Sequence, residues 1–132
     1  MYLEEYIDNM RQSPYIKERI CTNGVSSFNF TRQAFFKEHW TKLTTRARGL
    51  FIDTHTNSIK ARGFDKFFTI GERRDTELDR VIENFNYPVN CYVKENGYLG
   101  ICAGEKVDSS YRLWCASKST DTGWYAARFE DL

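Results

Sequence analysis

The sequence has few residues of the kinds that membrane-spanning, secreted and metal-binding proteins use. It contains 2 histidines, 4 cysteines and no apolar run long enough to cross a bilayer. The first residues are acidic and lack the apolar core of a signal peptide. We therefore expect an intracellular protein, cytoplasmic or nuclear, without a membrane segment.

The cysteines form no C-x-x-C pair, and the two histidines lie far apart in the sequence. This spacing does not favour a zinc site, so we expect free buried thiols in a reducing compartment. The formal net charge of +1 gives the whole chain no marked attraction for nucleic acid. A phosphate site must therefore come from a local cluster of cations. The cysteines are Cys21, Cys91, Cys102 and Cys115.

What the chain does have is the composition of one folded domain, and its helix and strand patterns together predict an α+β fold. Hydrophobic residues make up 41% and aromatic residues 16% of its 132 positions. Apolar spacing predicts a helix from Leu3 to about Gln12, a short helix or helical turn from Arg32 to Trp40 and a helix from about Thr76 to Phe85. We expect the apolar residues of these helices, including Phe35, Phe36 and Trp40, to be core. Trp124–Leu132 could begin a last helix.

Alternating or β-branched runs predict strands between these helices. The predicted strands are Tyr15–Cys21, Val25–Phe30, a hairpin formed by Arg46–Asp53 and Ser58–Phe64, and Tyr111–Ser117, with a loop from Gly104 to Ser110.

Asn96-Gly97 is the strongest turn signal, because both residue types tolerate the positive φ of a hairpin turn. The flanking runs, Val89–Val93 and Tyr98–Cys102, are predicted to be the paired strands. Lys94 would then project from the rim of a sheet, which suits a covalent nucleophile. The simpler interpretation of so short a motif is a solvated hairpin tip.

Arg48, Lys66 and Lys118 are three further cations at predicted strand ends or turns. A lysine nucleophile must lose its proton, and its free pKa of about 10.4 makes this rare at neutral pH. Neighbouring positive charge and partial burial both lower that pKa, and the same charges bind polyphosphate. One basic pocket could therefore activate Lys94 and hold ATP.

Four ordered blocks resemble the adenylyltransferase domain of fungal tRNA ligases and, more distantly, phage RNA ligases. The resemblance covers the chain from about Arg46 to Gly123. The blocks are Ala47–Phe51, Ala61–Phe68 with Ile70–Glu72, Val93–Gly97 and Ser117–Thr120.

The resemblance implies a covalent nucleotidyltransferase fold (an ATP-grasp-like ligase fold), with antiparallel sheets and flanking helices. It implies that Lys94 attacks ATP, with Mg²⁺ or Mn²⁺, to form lysyl-AMP. The AMP would then pass to an RNA 5′-phosphate, and a 3′-hydroxyl would seal the strand, as in tRNA splicing or RNA repair.

The resemblance also implies roles for the residues around Lys94. Glu95 would contact the ribose or the metal shell, and Asn96 and Gly97 would shape the turn. Arg48 and Lys66 would lie near the phosphates or support the adenylate pocket, and Lys118 matches the basic residue of the motif downstream of the nucleophile.

The blocks correspond to the N-terminal half of such a domain, residues 1–132. We expect a segment of a longer ligase, or a short form completed by a partner chain, with weak or no sealing activity alone. A DNA ligase or capping enzyme is the second enzymatic interpretation. A non-catalytic half-domain that binds RNA or a protein partner is the alternative from another class.

Overall fold

The computed structural model describes residues 3–132 as a mixed α+β structure with antiparallel sheets. The chain divides into two units. The first comprises the chain up to Lys66 together with Tyr98–Leu132, and the second is Phe67–Gly97. None of the helices in residues 3–132 is long and apolar enough to cross a membrane.

The elements follow one another along the chain with short connections. The helices are α1 Leu3–Gln12, α2 Arg32–Phe36, α3 Lys42–Arg46, α4 Leu78–Asn84 and α5 Trp124–Glu130, with a 3₁₀ turn at Arg74–Thr76. The strands are β1 Ile16–Ile20, β2 Val25–Phe30, β3 Leu50–Asp53, β4 Ser58–Arg62, β5 Gly100–Val107 and β6 Ser110–Ser117.

Strands β1 to β4 form an antiparallel sheet in sequence order, and each face of it carries a separate apolar cluster. On one face, Ile7 and Met10 of α1 pack with the fully buried Phe28. On the other face, Phe51 packs with Ile101 of β5 and Ala116 of β6. This sheet is therefore the central layer of the first unit.

Strands β5 and β6 form a separate hairpin that packs against β4 through apolar and ionic contacts. The Trp114 ring lies edge-on to the Phe51 ring at 5.0 Å. Lys60 of β4 and Arg112 of β6 both donate to the carboxylate of Glu105. The hydrogen bond from Lys60 is the largest cause of a lowered pKa at Glu105, and the hydrogen bond from Arg112 is the second.

The predictions for the first unit were largely confirmed. Helix α1, strands β1 and β2, the β3–β4 hairpin, strand β6 and helix α5 lie where the patterns placed them. The predicted loop from Gly104 to Ser110 was wrong, because β5 continues to Val107 and turns through Asp108, whose φ is +53°. Helix α3 was missed. Its start is capped by Thr41 and Thr44, which bond each other's backbone N–H groups.

The predicted hairpin around Asn96-Gly97 was also wrong. Residues 85–99 contain no strand, and β5 begins only at Gly100. The second unit instead consists of the 3₁₀ turn, α4 and irregular chain. Within it, the guanidinium of Arg73 lies 4.3 Å from the centroid of the Phe68 ring. An isolated hairpin is only marginally stable unless its apolar side chains pack against another element. Here Tyr92 and Val93 are each 85% exposed, so the predicted strand has no such packing.

Several residues predicted to be core are exposed. Phe35 and Phe36 lie on the open side of α2, which is too short to bury both. Helix α4 begins after Glu77 without a side-chain cap, and its Leu78 and Ile82 are more than half exposed. The cysteines are free, but only Cys115 is buried, while Cys91 and Cys102 are exposed.

Replacing Glu105 by Gln should lower the free energy of unfolding at pH 7 by about 0.5–1 kcal/mol. The pKa of Glu105 is lower in the folded chain than its ordinary value of 4.5. Its stabilisation is therefore complete above that value and is lost as the pH falls through the folded pKa.

Urea unfolding of both proteins at pH 7 and at pH 3 measures this difference, which should shrink in acid. Glu83→Gln is the control, because Glu83 lies on exposed α4, where its carboxylate is 3.5 Å from Arg80. A deficit of equal size at both pH values would contradict the ionic origin.

Candidate functional site

The loop that joins α3 to β3 is held in position by two hydrogen bonds of the Gly49 backbone. The N–H of Gly49 donates to Oδ1 of Asn29 at 2.8 Å, and its carbonyl accepts from the N–H of Gly63 at 2.9 Å. Gly49 has a φ of +61°, which glycine adopts without strain. A Cβ at this position would lie 2.4 Å from Cδ1 of Ile101 and 3.4 Å from the carbonyl oxygen of Lys118. The missing side chain thus lets the chain after β6 approach.

The chain after β6 is fixed at the same place. The hydroxyl of Ser27 on β2 donates to the carbonyl of Ser119 at 2.7 Å. The N–H and hydroxyl of Ser117 both donate to the carbonyl of Thr120, which closes a tight turn. Lys118, in the middle of this turn, is therefore presented by a restrained backbone.

Lys118 and Arg48 influence each other electrostatically. Partial desolvation of the Lys118 ammonium is the first cause of its lowered pKa, and the positive charge of Arg48 is the second. Nζ of Lys118 lies 5.0 Å from the centroid of the Phe30 ring, a contact that favours the charged form. Arg48 also donates from Nη1 to the carbonyl of Phe64 at 3.2 Å. Two of the predicted cations therefore belong to one site.

Lys66 joins this site through a second aromatic ring. Its Nζ lies 5.4 Å from the centroid of Trp40, and its N–H donates to the carbonyl of Thr45 at 2.8 Å. The rings of Trp40 and Phe30 meet edge to face at 5.1 Å. Lys66 and Lys118 thus lie against one aromatic pair, and Arg48 acts electrostatically on Lys118. We call Arg48, Lys66 and Lys118, with Phe30 and Trp40, the cationic site.

The sequence predicted the three cations of this site but not Phe30, the ring that contacts both Lys118 and Trp40. Phe30 ends a predicted strand, and no local pattern distinguishes it from other strand residues. Trp40 was predicted to be core, yet it is only partly buried and contacts Lys66.

The remaining predicted site residues lie in the second unit. Lys94, Glu95, Asn96 and Gly97 are consecutive exposed residues in irregular chain. A Cβ at Gly97 would meet no atom within 4 Å, so this position is open. Lys94 is therefore exposed to solvent.

The residues of the cationic site suit a nucleoside polyphosphate better than a bare metal ion. Lysine and arginine side chains bind phosphate oxygens, and Phe30 and Trp40 offer apolar surface beside them. Among residues 3–132 no group of three His, Cys, Asp or Glu side chains is placed to hold a metal ion. A divalent ion at this site would therefore be held mainly by phosphate oxygens and water.

Comparison with known proteins assigns the chain to a class. The profile of the RNA ligase family matches residues 46–131, more than half of the chain. That stretch includes Arg48, Lys66 and Lys118 of the cationic site, as well as Lys94. The protein belongs to the RNA ligase family.

A curated relative points in the same direction. The chain is 38% identical over 65 residues to tRNA ligase 1 of Schizosaccharomyces pombe. The match covers 46% of this chain and 8% of that relative, so the chain spans a small part of the relative's length. No solved structure matches the chain.

The close approach at Gly49 predicts a large effect of a single methyl group. Gly49→Ala places a Cβ at positive φ and against Ile101, and we expect a loss of about 2 kcal/mol or more in unfolding free energy. Urea unfolding followed by tryptophan fluorescence measures it. In the control Gly104→Ala, the Cβ meets nothing within 4 Å. Equal stability of the two variants would disprove the constraint.

The proximity of Arg48 and Lys118 predicts a change in titration. Removing the positive neighbour in Arg48→Gln should raise the pKa of Lys118 toward its ordinary value of 10.5, because one of the two causes that lower it is gone. The ¹³Cε shift of Lys118 in NMR, followed from pH 7 to 12, reports this pKa. Arg128→Gln, on α5, should leave the titration of Lys118 as it is.

Proposed function

We propose that this chain provides the lysine nucleophile and the phosphate-binding cations of an ATP-dependent RNA ligase of the covalent nucleotidyltransferase type. The substrates would be ATP and RNA ends that bear a 5′-phosphate and a 3′-hydroxyl, tRNA halves among them. The reaction would serve tRNA splicing or RNA repair. The chain would form the N-terminal part of the nucleotidyltransferase domain.

The observation that carries this proposal is the grouping of Arg48, Lys66 and Lys118 around Phe30 and Trp40, in a chain of the RNA ligase family. Three positive charges within one restrained site suit a polyphosphate. The lowered pKa of Lys118 is the expected response to crowding of positive charge.

In the first step, the unprotonated Nζ of Lys94 attacks the α-phosphorus of ATP. A P–N bond forms, the bond from the α-phosphorus to the bridging oxygen breaks, and pyrophosphate leaves with that electron pair. The nitrogen loses one proton to solvent, which leaves an uncharged phosphoramidate nitrogen on a phosphoryl group that keeps its negative charge. Arg48, Lys66 and Lys118 would offset the negative charge that develops on the phosphates.

The later steps return Lys94 to its starting form. An oxygen of the RNA 5′-phosphate attacks the same phosphorus, the P–N bond breaks, and Lys94 takes up a proton. A 3′-hydroxyl then attacks the RNA 5′-phosphorus and AMP leaves. A Mg²⁺ or Mn²⁺ ion held by the phosphates would withdraw electron density from them. Glu95 would contact the ribose or the metal shell, and Asn96 and Gly97 would give the open backbone that presents Lys94.

Intact-mass spectrometry after incubation with ATP and magnesium tests the first step. We expect a mass increase of one AMP on the unaltered chain and none on Lys94→Ala. Arg48→Gln should slow formation of the adduct by about 10- to 100-fold, because one charge facing the phosphates is lost.

Lys106→Ala is the matched control, since Lys106 is an exposed lysine on β5, and it should form the adduct at the unaltered rate. GTP in place of ATP tests the nucleotide and separates this proposal from a capping enzyme. An adduct that persists in Lys94→Ala would refute the assignment of the nucleophile. RNA binding with no adduct on any variant would favour the non-catalytic binding module.

A further inference from the structure

A cavity of about 310 Å³ lies beside the cationic site, on the edge of the central sheet. Lys17 and Arg19 of the edge strand β1 line it, and so does Arg32, the first residue of α2. No carboxylate is among its lining residues. We call it the edge cavity, and its three cations are distinct from Arg48, Lys66 and Lys118.

The strand register explains why the charges of β1 converge. Lys17 pairs with Asn29 and Arg19 with Ser27, so both cations project to the face of the sheet that carries the chain after β6. Glu18 projects to the opposite face, where it accepts from Arg11 at 2.9 Å. Glu18 is therefore paired with Arg11 and does not neutralise Lys17 or Arg19.

Lysine on an edge strand has a simpler role, which is to prevent pairing with other chains. That role does not require Arg32, which comes from a helix and lines the same cavity. Lys17, Arg19 and Arg32 are all exposed, and within residues 3–132 none of their side chains forms an ion pair. Three uncompensated positive charges around one concave surface are suited to an anion.

The edge cavity is continuous with the cationic site through shared residues. Phe30 lines the cavity and also contacts the ammonium of Lys118. Asn29 lines it and holds the N–H of Gly49, and Ser119 lines it next to Lys118. A polyanion that begins at the cationic site can therefore extend into the cavity across the Phe30 ring.

We propose that the edge cavity binds the backbone phosphates of the RNA strand, an inference that rests on the function proposed above. Lys17 and Arg19 lie roughly 7 Å apart along β1, a spacing close to that of neighbouring phosphates in an extended strand. Lysine and arginine supply most phosphate contacts in nucleic-acid complexes, and Phe30 offers a ring on which a base can stack. Phosphate contacts and stacking of this kind would not distinguish one base from another.

Fluorescence anisotropy with a labelled single-stranded RNA that carries a 5′-phosphate tests this assignment. Lys17→Gln/Arg19→Gln should weaken binding about 10-fold at low salt and make the dependence on salt shallower, because two phosphate contacts are lost. Arg32→Gln should act in the same direction. Lys106→Gln/Arg128→Gln removes the same charge from β5 and α5 and should change affinity less than 2-fold.

The double variant Lys17→Arg/Arg19→Lys keeps both charges and should bind RNA like the unaltered chain, which separates loss of charge from loss of fold. Formation of the AMP adduct, measured by intact mass, should be unaffected by Lys17→Gln/Arg19→Gln. Equal losses in the cavity variant and the control pair would overturn the proposal. So would a parallel fall in adduct formation, which would assign the cavity to ATP.

The two proposals fail in different ways. Absence of an AMP adduct on the unaltered chain would count against the catalytic function while the RNA affinities remain readable. Absence of measurable RNA binding by the unaltered chain at low salt would overturn the assignment of the edge cavity, whatever the result with ATP.

Discussion

The close approach of two backbone segments at Gly49 is the constraint on which the first unit depends. A left-handed glycine without a side chain lets the carbonyl of Lys118 and the side chain of Ile101 come near the start of β3. The Ser27 hydroxyl completes the contact by holding Ser119. Segments distant in sequence are thereby fixed to one another through their backbones. The positions of Arg48 and Lys118, which flank these contacts, are restrained as a result.

The cationic site places like charges close together. Arg48 and Lys118 repel each other, and partial desolvation adds to that cost at Lys118. The faces of Phe30 and Trp40 offset part of it, because an aromatic ring attracts a nearby cation without neutralising it. The ring contact leaves the charge of Lys118 in place, and a polyphosphate would bind that charge.

Local sequence patterns predicted much of the first unit and, in the second unit, helix α4. Helix α1 buries one face, with Ile7 and Met10 inward, so its apolar period is visible in the sequence. Strands β2 and β6 are recognisable by their β-branched and aromatic residues. The Asn96-Gly97 turn signal failed, because a turn dipeptide specifies a hairpin only where both flanking runs find a surface to cover. For the site, cations could be chosen from the sequence. Their arrangement around Phe30 could not, since it depends on contacts between residues far apart along the chain.

The division of the chain has a consequence for how such proteins can diverge. Phe67–Gly97, with its irregular chain and exposed α4, is inserted between two parts of one compact unit. The entropy of closing such an insertion grows only with the logarithm of its length, so doubling it costs about 0.6 kcal/mol. Changes in the length or sequence of this segment should therefore cost the protein little stability. Selection can change the residues around Lys94 while the first unit, which carries Arg48 and Lys118, stays the same.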